Sequence, residues 1–249
     1  MNEKELLKQW KKDENSVFEG WDFSYLNGRM IEESPPWDYI KIAKKLVRKS
    51  NSVLDMETGG GEIFSLLAPF PENAVAYEGY KPNVPIAGKR LEPFGVKVVE
   101  CNNLKKLPFK DREFDLVLNR HGAINAKEIY RILKNKGVFF TQQVTGSEDL
   151  QDLAKEFKAK RKFNNITLEE YERQLKEAGF KIKESRKWNG RKIFKDVGAI
   201  VYYLRAIPWI VEGFSVDNNI SELKRLQSNL ERDRKLKFEI ARFMILAEK

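Results

Sequence analysis

The sequence is poor in the residues that build covalent or metal frameworks: in 249 residues there is one cysteine, Cys101, and one histidine, His121. A lone cysteine excludes an internal disulfide and a cysteine-based zinc site, no metal is expected, and a reducing cytoplasmic compartment fits best. No run of 18 apolar residues occurs, so a membrane-spanning helix is not expected. The opening Met1-Asn2-Glu3-Lys4-Glu5 lacks the apolar core of a signal peptide. Internal repeats and low-complexity tracts are absent as well. What remains is a chain of 41% hydrophobic residues, enough for one large domain or one domain with appendages. Its net charge is +9, and the excess is uneven: residues 151–196 hold 14 Lys/Arg against 8 Asp/Glu, whereas residues 1–50 hold 10 against 9. Such an excess reads first as a lysine-rich solvated surface and second as a nucleic-acid contact.

Against this background the most informative run is Val53-Leu54-Asp55-Met56-Glu57-Thr58-Gly59-Gly60-Gly61-Glu62, an apolar strand that ends in an acid and a glycine turn. A pyrophosphate site needs a helix N-terminus free of negative charge, because backbone N–H groups and the helix dipole do the binding. Glu57 and Glu62 flank the glycines, and Phe64 stands where the dinucleotide spacing G-x-G-x-x-G requires its last glycine. The acids favour a cationic ligand of the S-adenosylmethionine type, which carries a sulfonium, an ammonium and no phosphate.

From residue 52 onward strand-like and helix-like runs alternate, the pattern of a parallel sheet with crossover helices. Strands are predicted at 53–56, 74–78, 96–100, 114–118, 138–142 and 180–186, with a last one from Phe238 to Ala247. Helices are predicted at 62–68, 83–92, 126–134, 149–160 and 217–235. Another begins at the capping-box pattern Thr167-Leu168-Glu169-Glu170 and stops at Gly179. A helix between the last two strands implies an antiparallel finish. Residues 1–46 read as an N-terminal helical cap, with Leu6, Leu7 and Trp10 on one face and a second amphipathic stretch over Trp37, Ile40, Ile42, Ala43 and Leu46.

Four segments in register resemble the class I S-adenosylmethionine-dependent methyltransferases: residues 53–62, Glu78 after the second strand, Leu107 to Asp115, and Glu128 to Gly137. Arg120-His121, Thr141-Gln142-Gln143-Val144 and Phe194 to Ala199 are similar to a methyltransferase type 11-like bacterial subgroup of undefined substrate. The resemblance implies an α/β Rossmann-like fold: a seven-stranded, mostly parallel sheet with an antiparallel last strand and helices on both faces. It also implies a domain over 47–249, with a lid-like helical insertion at about 190–236. The cofactor implied is S-adenosyl-L-methionine, with S-adenosyl-L-homocysteine as product. Carried over by position, Asp55 orders the turn, and Gly59 and Gly61 let the backbone approach the methionine end. Glu78, followed by Gly79, accepts the ribose hydroxyls. Asn103 and Leu104 face the adenine, and Asn119 lies under the sulfonium.

Glu57 departs from the family's glycine. At positive φ it would cost about 1–3 kcal/mol of strain, and it reads either as a carboxylate near the cofactor's ammonium or as a drifted residue in a weakened site. His121 and Arg120, past the fourth strand, are the catalytic candidates; imidazole has the ordinary pKa of a general base. Trp37, Tyr39, Asp196, Tyr202 and Trp209 are candidates for the substrate wall, with Tyr203 and Arg205 beside them. Together these readings imply methyl transfer to an O or N atom of a small molecule by a monomer or homodimer without a membrane partner. The alternatives are an rRNA or tRNA methyltransferase and a non-catalytic cofactor-binding protein.

Overall fold

The computed structural model describes residues 2–160 and 163–249. The strands are β1 (Met30–Glu32), β2 (Ser52–Met56), β3 (Asn73–Glu78), β4 (Lys97–Glu100), β5 (Phe114–Arg120), β6 (Leu133–Val144), β7 (Lys181–Phe194) and β8 (Leu236–Glu248). The helices are α1 (Glu3–Glu14), α2 (Tyr39–Val47), α3 (Glu62–Ser65), α4 (Asn83–Leu91), α5 (Ala126–Ile132), α6 (Gln151–Glu156), α7 (Leu168–Ala178), α8 (Val197–Ala206) and α9 (Ile220–Asp233). One sheet runs in the order β1-β7-β8-β6-β5-β2-β3-β4. Strands β4, β3, β2, β5 and β6 are mutually parallel, and β8 lies antiparallel between β6 and β7. The Rossmann-like sheet with its antiparallel last strand is therefore present, with one strand more than expected. The extra strand, β1, pairs Met30 with Phe194 at the edge and is only three residues long, too short to leave a periodic signal.

Every residue of β2 is buried, as a parallel strand covered on both faces must be. Val53 packs with Ala74, Leu116 and Leu118 under Ala43 and Val47 of α2. Leu54 and Met56 face the other way, toward Val75, Val117 and Ile129 of α5. The two sheet faces thus carry separate cores. A third core unites Trp10 of α1, most of α8, and Leu223 and Leu226 of α9 with Leu236, Phe238 and Ile240 of β8.

That third core explains where the lid sits. The β6–β8 ladder ends at Val144 opposite Arg242, but the β7–β8 ladder continues to Phe194 opposite Leu236. The hairpin therefore projects past the carboxyl end of β6, and α1, α8 and α9 pack on the projection. Each large apolar side chain fully buried there contributes about 1.5–3 kcal/mol, which makes the lobe a folded layer rather than a loose loop.

Several boundaries differ from expectation. Helix α3 stops at Ser65 instead of 68, since Pro69 disfavours helical backbone at Ala68. Helix α5 ends at Ile132 because β6 begins at Leu133. Helix α6 covers 151–156 rather than 149–160, and β7 runs on to Phe194 instead of stopping at 186. Helix α8 was not foreseen as a helix. Residues 1–46, expected as a helical cap, contribute α1 to the lid core and β1 to the sheet, and α2 continues to Val47 against the sheet. Among the described residues no helix is long and apolar enough to cross a membrane.

Candidate active site

The glycine turn follows β2 at the carboxyl edge of the parallel strands, where α/β sheets of this kind bind ligands. Its backbone is left-handed at Glu57 (φ 56°), Gly59 (φ 63°) and Gly61 (φ 79°). Glu57 is thus held in the strained region that its replacement of glycine foreshadowed. Gly61 has a packing reason to lack a side chain: a Cβ there would lie 2.9 Å from Cγ of Leu91 in α4. Gly60 is constrained from the other side, because its carbonyl accepts a 2.6 Å hydrogen bond from Arg90, which also pairs with Glu62. The Glu62–Arg90 clamp fixes the turn and is not legible from the motif alone.

Three acids line this end of the edge. Both oxygens of Glu78 accept backbone N–H groups, from Gly59 and from Tyr80, each at 2.6 Å. One carboxylate at the end of β3 therefore orders the turn after β2. Glu57 points across the strand ends: its Oε1 accepts the Tyr77 hydroxyl at 2.7 Å, its carboxylate lies beside Gly79, and its stem fills the space next to Gly122. Asp55 is buried at the end of β2. None of the three has a Lys or Arg partner within 4 Å among the described residues. Burial pushes the Asp55 carboxyl up to about 7, against the opposing effects of the Thr58 hydroxyl and the Arg120 charge. Burial likewise raises Glu57, against the Tyr77 hydroxyl, and raises Glu78, against the Tyr80 N–H. Unpaired acids under such conditions fit a ligand that brings its own positive charge and hydroxyl donors, so the residues present suit S-adenosylmethionine.

The neighbouring strand ends are basic. Arg120 closes β5 with its guanidinium 5.8 Å from the ring centre of Tyr39, which itself stacks on Phe140. His121 follows in left-handed backbone, φ 63°. The Gln142 side chain accepts from the Trp37 indole N–H at 2.8 Å and meets Nε2 of His121 at 3.3 Å. With its carbonyl taken by Trp37, the amide offers His121 an N–H, which sets Nε2 as acceptor and the ring proton on Nδ1. Burial and the charges of Arg120, Arg242 and Lys192 hold His121 well below its ordinary pKa. The imidazole is therefore neutral, its lone pair already engaged, and in this geometry it orients its surroundings rather than standing ready as a general base. Trp37 and Tyr39 are buried on this same face of the sheet.

Asn119 is fully buried and hydrogen-bonded through both ends of its amide. Its amide donates to the Met56 carbonyl at 3.3 Å, and its carbonyl accepts from Thr141 at 3.2 Å and Gln143 at 2.5 Å. The Thr141-Gln142-Gln143 run is thus a polar lattice that ties the ends of β2, β5 and β6 together. Asn103 and Leu104 lie in the loop after β4; Asn103 is exposed, and its carbonyl accepts from the Lys105 N–H at 3.0 Å. The Leu107 and Glu128 segments serve the fold: Glu128 accepts the Leu107 N–H, and Arg131 donates to the Leu107 and Phe109 carbonyls.

In the lid the candidates separate. Asp196 caps α8 through the Ala199 N–H at 2.7 Å and pairs with Arg29, which also binds the buried Asp13 of α1. Its carboxylate joins α1 to α8 and is engaged there. Tyr202 is buried, with its hydroxyl on the Val17 carbonyl. Trp209 is 39% exposed and stacks parallel on Trp21 at 5.9 Å. Trp21 had not been singled out for the site, yet its Cβ lies 3.5 Å from the point where a Cβ on Gly59 would stand. Its N–H faces Glu62 at 3.4 Å. The lid lobe thus reaches the glycine turn through one tryptophan pair.

Comparison with known proteins speaks to the central segment and to the fold. The methyltransferase domain family matches residues 54–141. An uncharacterized protein of Methanocaldococcus jannaschii is 30% identical over 106 residues, which make up 40% of this chain and 39% of that protein; the chain therefore spans about two-fifths of its curated relative. Among solved structures, a protein of Bacillus halodurans described as a proposed methyltransferase superposes with a TM-score of 0.60 at 18% identity, over 85% of this chain and 98% of that one. A functionally unknown protein of Deinococcus radiodurans gives 0.61 at 14% identity, over 88% and 90%. At these identities the two structures speak for the fold. Residues 54–141 thus match a methyltransferase domain, and the two solved structures share the fold of the chain.

Proposed function

We propose that the chain transfers a methyl group from S-adenosylmethionine to an O or N atom of a small-molecule acceptor. The observation that carries this reading is the set of three acids, Asp55, Glu57 and Glu78, without an ion-pair partner among the described residues at the carboxyl edge, with the Trp21–Trp209 stack beside the glycine turn. When bound, the cofactor supplies an electrophilic methyl on a cationic sulfur. The chain's own residues supply order. Glu78 holds the turn and retains lone pairs for ribose hydroxyls, the Gly59–Gly61 backbone offers close approach, and the Trp21–Trp209 pair excludes water above it. Transfer of this kind depends chiefly on alignment of nucleophile, methyl and leaving group, which suits a site whose only histidine has its lone pair engaged.

The Trp21–Trp209 stack beside the glycine turn supports a compact acceptor. The cations of residues 151–196 support it too, because many are matched locally: Arg173 with Glu170 and Glu177, Lys176 with Glu172, Lys187 with Glu148. Such pairing reduces the free positive charge available to track a phosphate backbone. Calorimetric titration with S-adenosylhomocysteine tests the cofactor, and absence of binding at millimolar ligand overturns the reading. Incubation with labelled S-adenosylmethionine against separated metabolite and RNA fractions tests the acceptor; label entering RNA alone replaces the small molecule with RNA.

A further inference from the structure

Of the cations at the basic end, two are fully engaged. Arg242 pairs with Asp149 and, at 2.8 Å, with Glu32; Lys192 pairs with Glu32 at 2.9 Å and reaches the Tyr203 hydroxyl. Arg120 differs. Its guanidinium has no ion pair and no hydrogen bond among the described residues, although the side chain is only partly exposed. Its one defined neighbour is the Tyr39 ring. Tyr39 is itself 6% exposed, and its hydroxyl is buried without a hydrogen-bond partner. An unpaired guanidinium and an orphan hydroxyl side by side are each costly to leave unsatisfied. Neither Glu32 nor Asp55, whose charges reach it from β1 and β2, lies within ion-pair range, and the Arg242 charge opposes them.

We propose that Arg120 and Tyr39 form a carboxylate-binding subsite at the basic end of the crevice, filled only when a ligand is present. The subsite rests on the methyltransferase reading and sharpens it, because the ligand it completes is bipolar: cation and hydroxyls toward Asp55, Glu57 and Glu78, carboxylate toward Arg120. A planar guanidinium presents paired donors that match a carboxylate, and the orphan phenol adds a third donor at its flank. Two sources share this chemistry: the amino-acid end of the cofactor, and an acidic group on the acceptor.

The test compares the wild-type chain with Arg120→Met and Tyr39→Phe. Calorimetry is run with S-adenosylhomocysteine and with 5′-methylthioadenosine, which lacks the amino-acid end. If the cofactor fills the subsite, Arg120→Met weakens S-adenosylhomocysteine about 10-fold or more and leaves 5′-methylthioadenosine unchanged. If the acceptor fills it, both nucleosides bind the variant normally. Benzoate then raises the Tm of the wild-type chain saturated with S-adenosylhomocysteine but not that of the variant. Tyr39→Phe, a change of one buried atom, shifts the same measurement in the same direction by about 3-fold and serves if methionine at 120 disturbs folding. Equal responses of all three proteins to both nucleosides and to benzoate overturn the subsite while leaving the cofactor reading intact. Failure of S-adenosylhomocysteine to bind the wild-type chain removes both.

Discussion

The two halves of the sheet's carboxyl edge are opposite in charge and opposite in how that charge is held. At the ends of β2 and β3 the acids Asp55, Glu57 and Glu78 are held by backbone N–H groups and hydroxyls, with no Lys or Arg within ion-pair range among the described residues. On the neighbouring strands Lys192 and Arg242 are locked into ion pairs with Glu32 and Asp149, whereas Arg120 beside them has no ion pair among the described residues. The acidic half is preorganised by the chain itself and the basic half is one anion short. On the proposed reading this division suits a ligand with charges at both ends, and the largest effects are expected where the acidic half is dismantled.

Glu78→Ala is the severest break. It removes two charge-assisted hydrogen bonds that order the glycine turn, each worth about 1.5–3 kcal/mol. Affinity for S-adenosylhomocysteine should fall about 100-fold in calorimetry, with a lowered Tm. An unchanged affinity would mean that the acid end is not the nucleoside end.

Next comes pH. Asp55 is held up to about 7 in the folded chain, above the ordinary carboxylate range. Between the two values the unfolded chain has released this proton and the folded chain retains it. The contribution of Asp55 to stability therefore falls as pH rises from about 4 to about 7 and stays low above that. A cationic ligand favours the ionised form, so S-adenosylmethionine should bind about 10-fold tighter at pH 8 than at pH 6. Asp55→Asn should flatten both slopes, read as Tm and as Kd across that range. A wild-type Kd that does not change with pH would detach Asp55 from the ligand.

Trp21→Ala tests whether the lid belongs to the acidic half. Its Cβ stands beside Gly59 and its indole stacks on Trp209, a ring pair worth about 0.5–1.5 kcal/mol beyond its buried area. We expect about a 5-fold loss of S-adenosylhomocysteine affinity, together with loss of any ligand-dependent change in tryptophan fluorescence. If affinity holds, the pair merely seals the lobe.

The acidic half was far more legible in the sequence than the basic half or the lid. A glycine turn, an acid at a strand end and the spacing between them are local, so Asp55, Gly59 and Glu78 can be located before any contact is known. The pairing of Gln142 with Trp37 and His121, and of Gln143 with Asn119, depends on strands adjacent in space but distant in sequence. Helix α8 escaped because Val197 to Ala206 is buried nearly all round and offers no polar face to set a period. Asp196 was read as a substrate contact although Asp196-Val197-Gly198-Ala199 carries a helix-start signal, an N-cap acid before an apolar run. Trp21 sits in an irregular segment, and nothing local reveals that it lies on Gly59.

The smallest expected effect is also the one that most directly questions the acidic half. Glu57→Gly relieves left-handed strain, a gain of about 1 kcal/mol, and removes the hydrogen bond with Tyr77, a loss of about 1 kcal/mol. Stability should therefore move by no more than about 1 kcal/mol in either direction, measured by urea unfolding. Binding separates the two readings of the residue. If the carboxylate is part of the acid end, its loss costs affinity for S-adenosylmethionine about 3-fold. The loss should be smaller for 5′-methylthioadenosine, which carries no sulfonium and no ammonium. If the residue is a drifted obstruction whose side chain crosses the strand ends toward Gly79 and Gly122, its removal clears space and both ligands bind more tightly. The sign of that change, more than its size, decides whether the acidic half is built of three acids or of two acids and an obstacle.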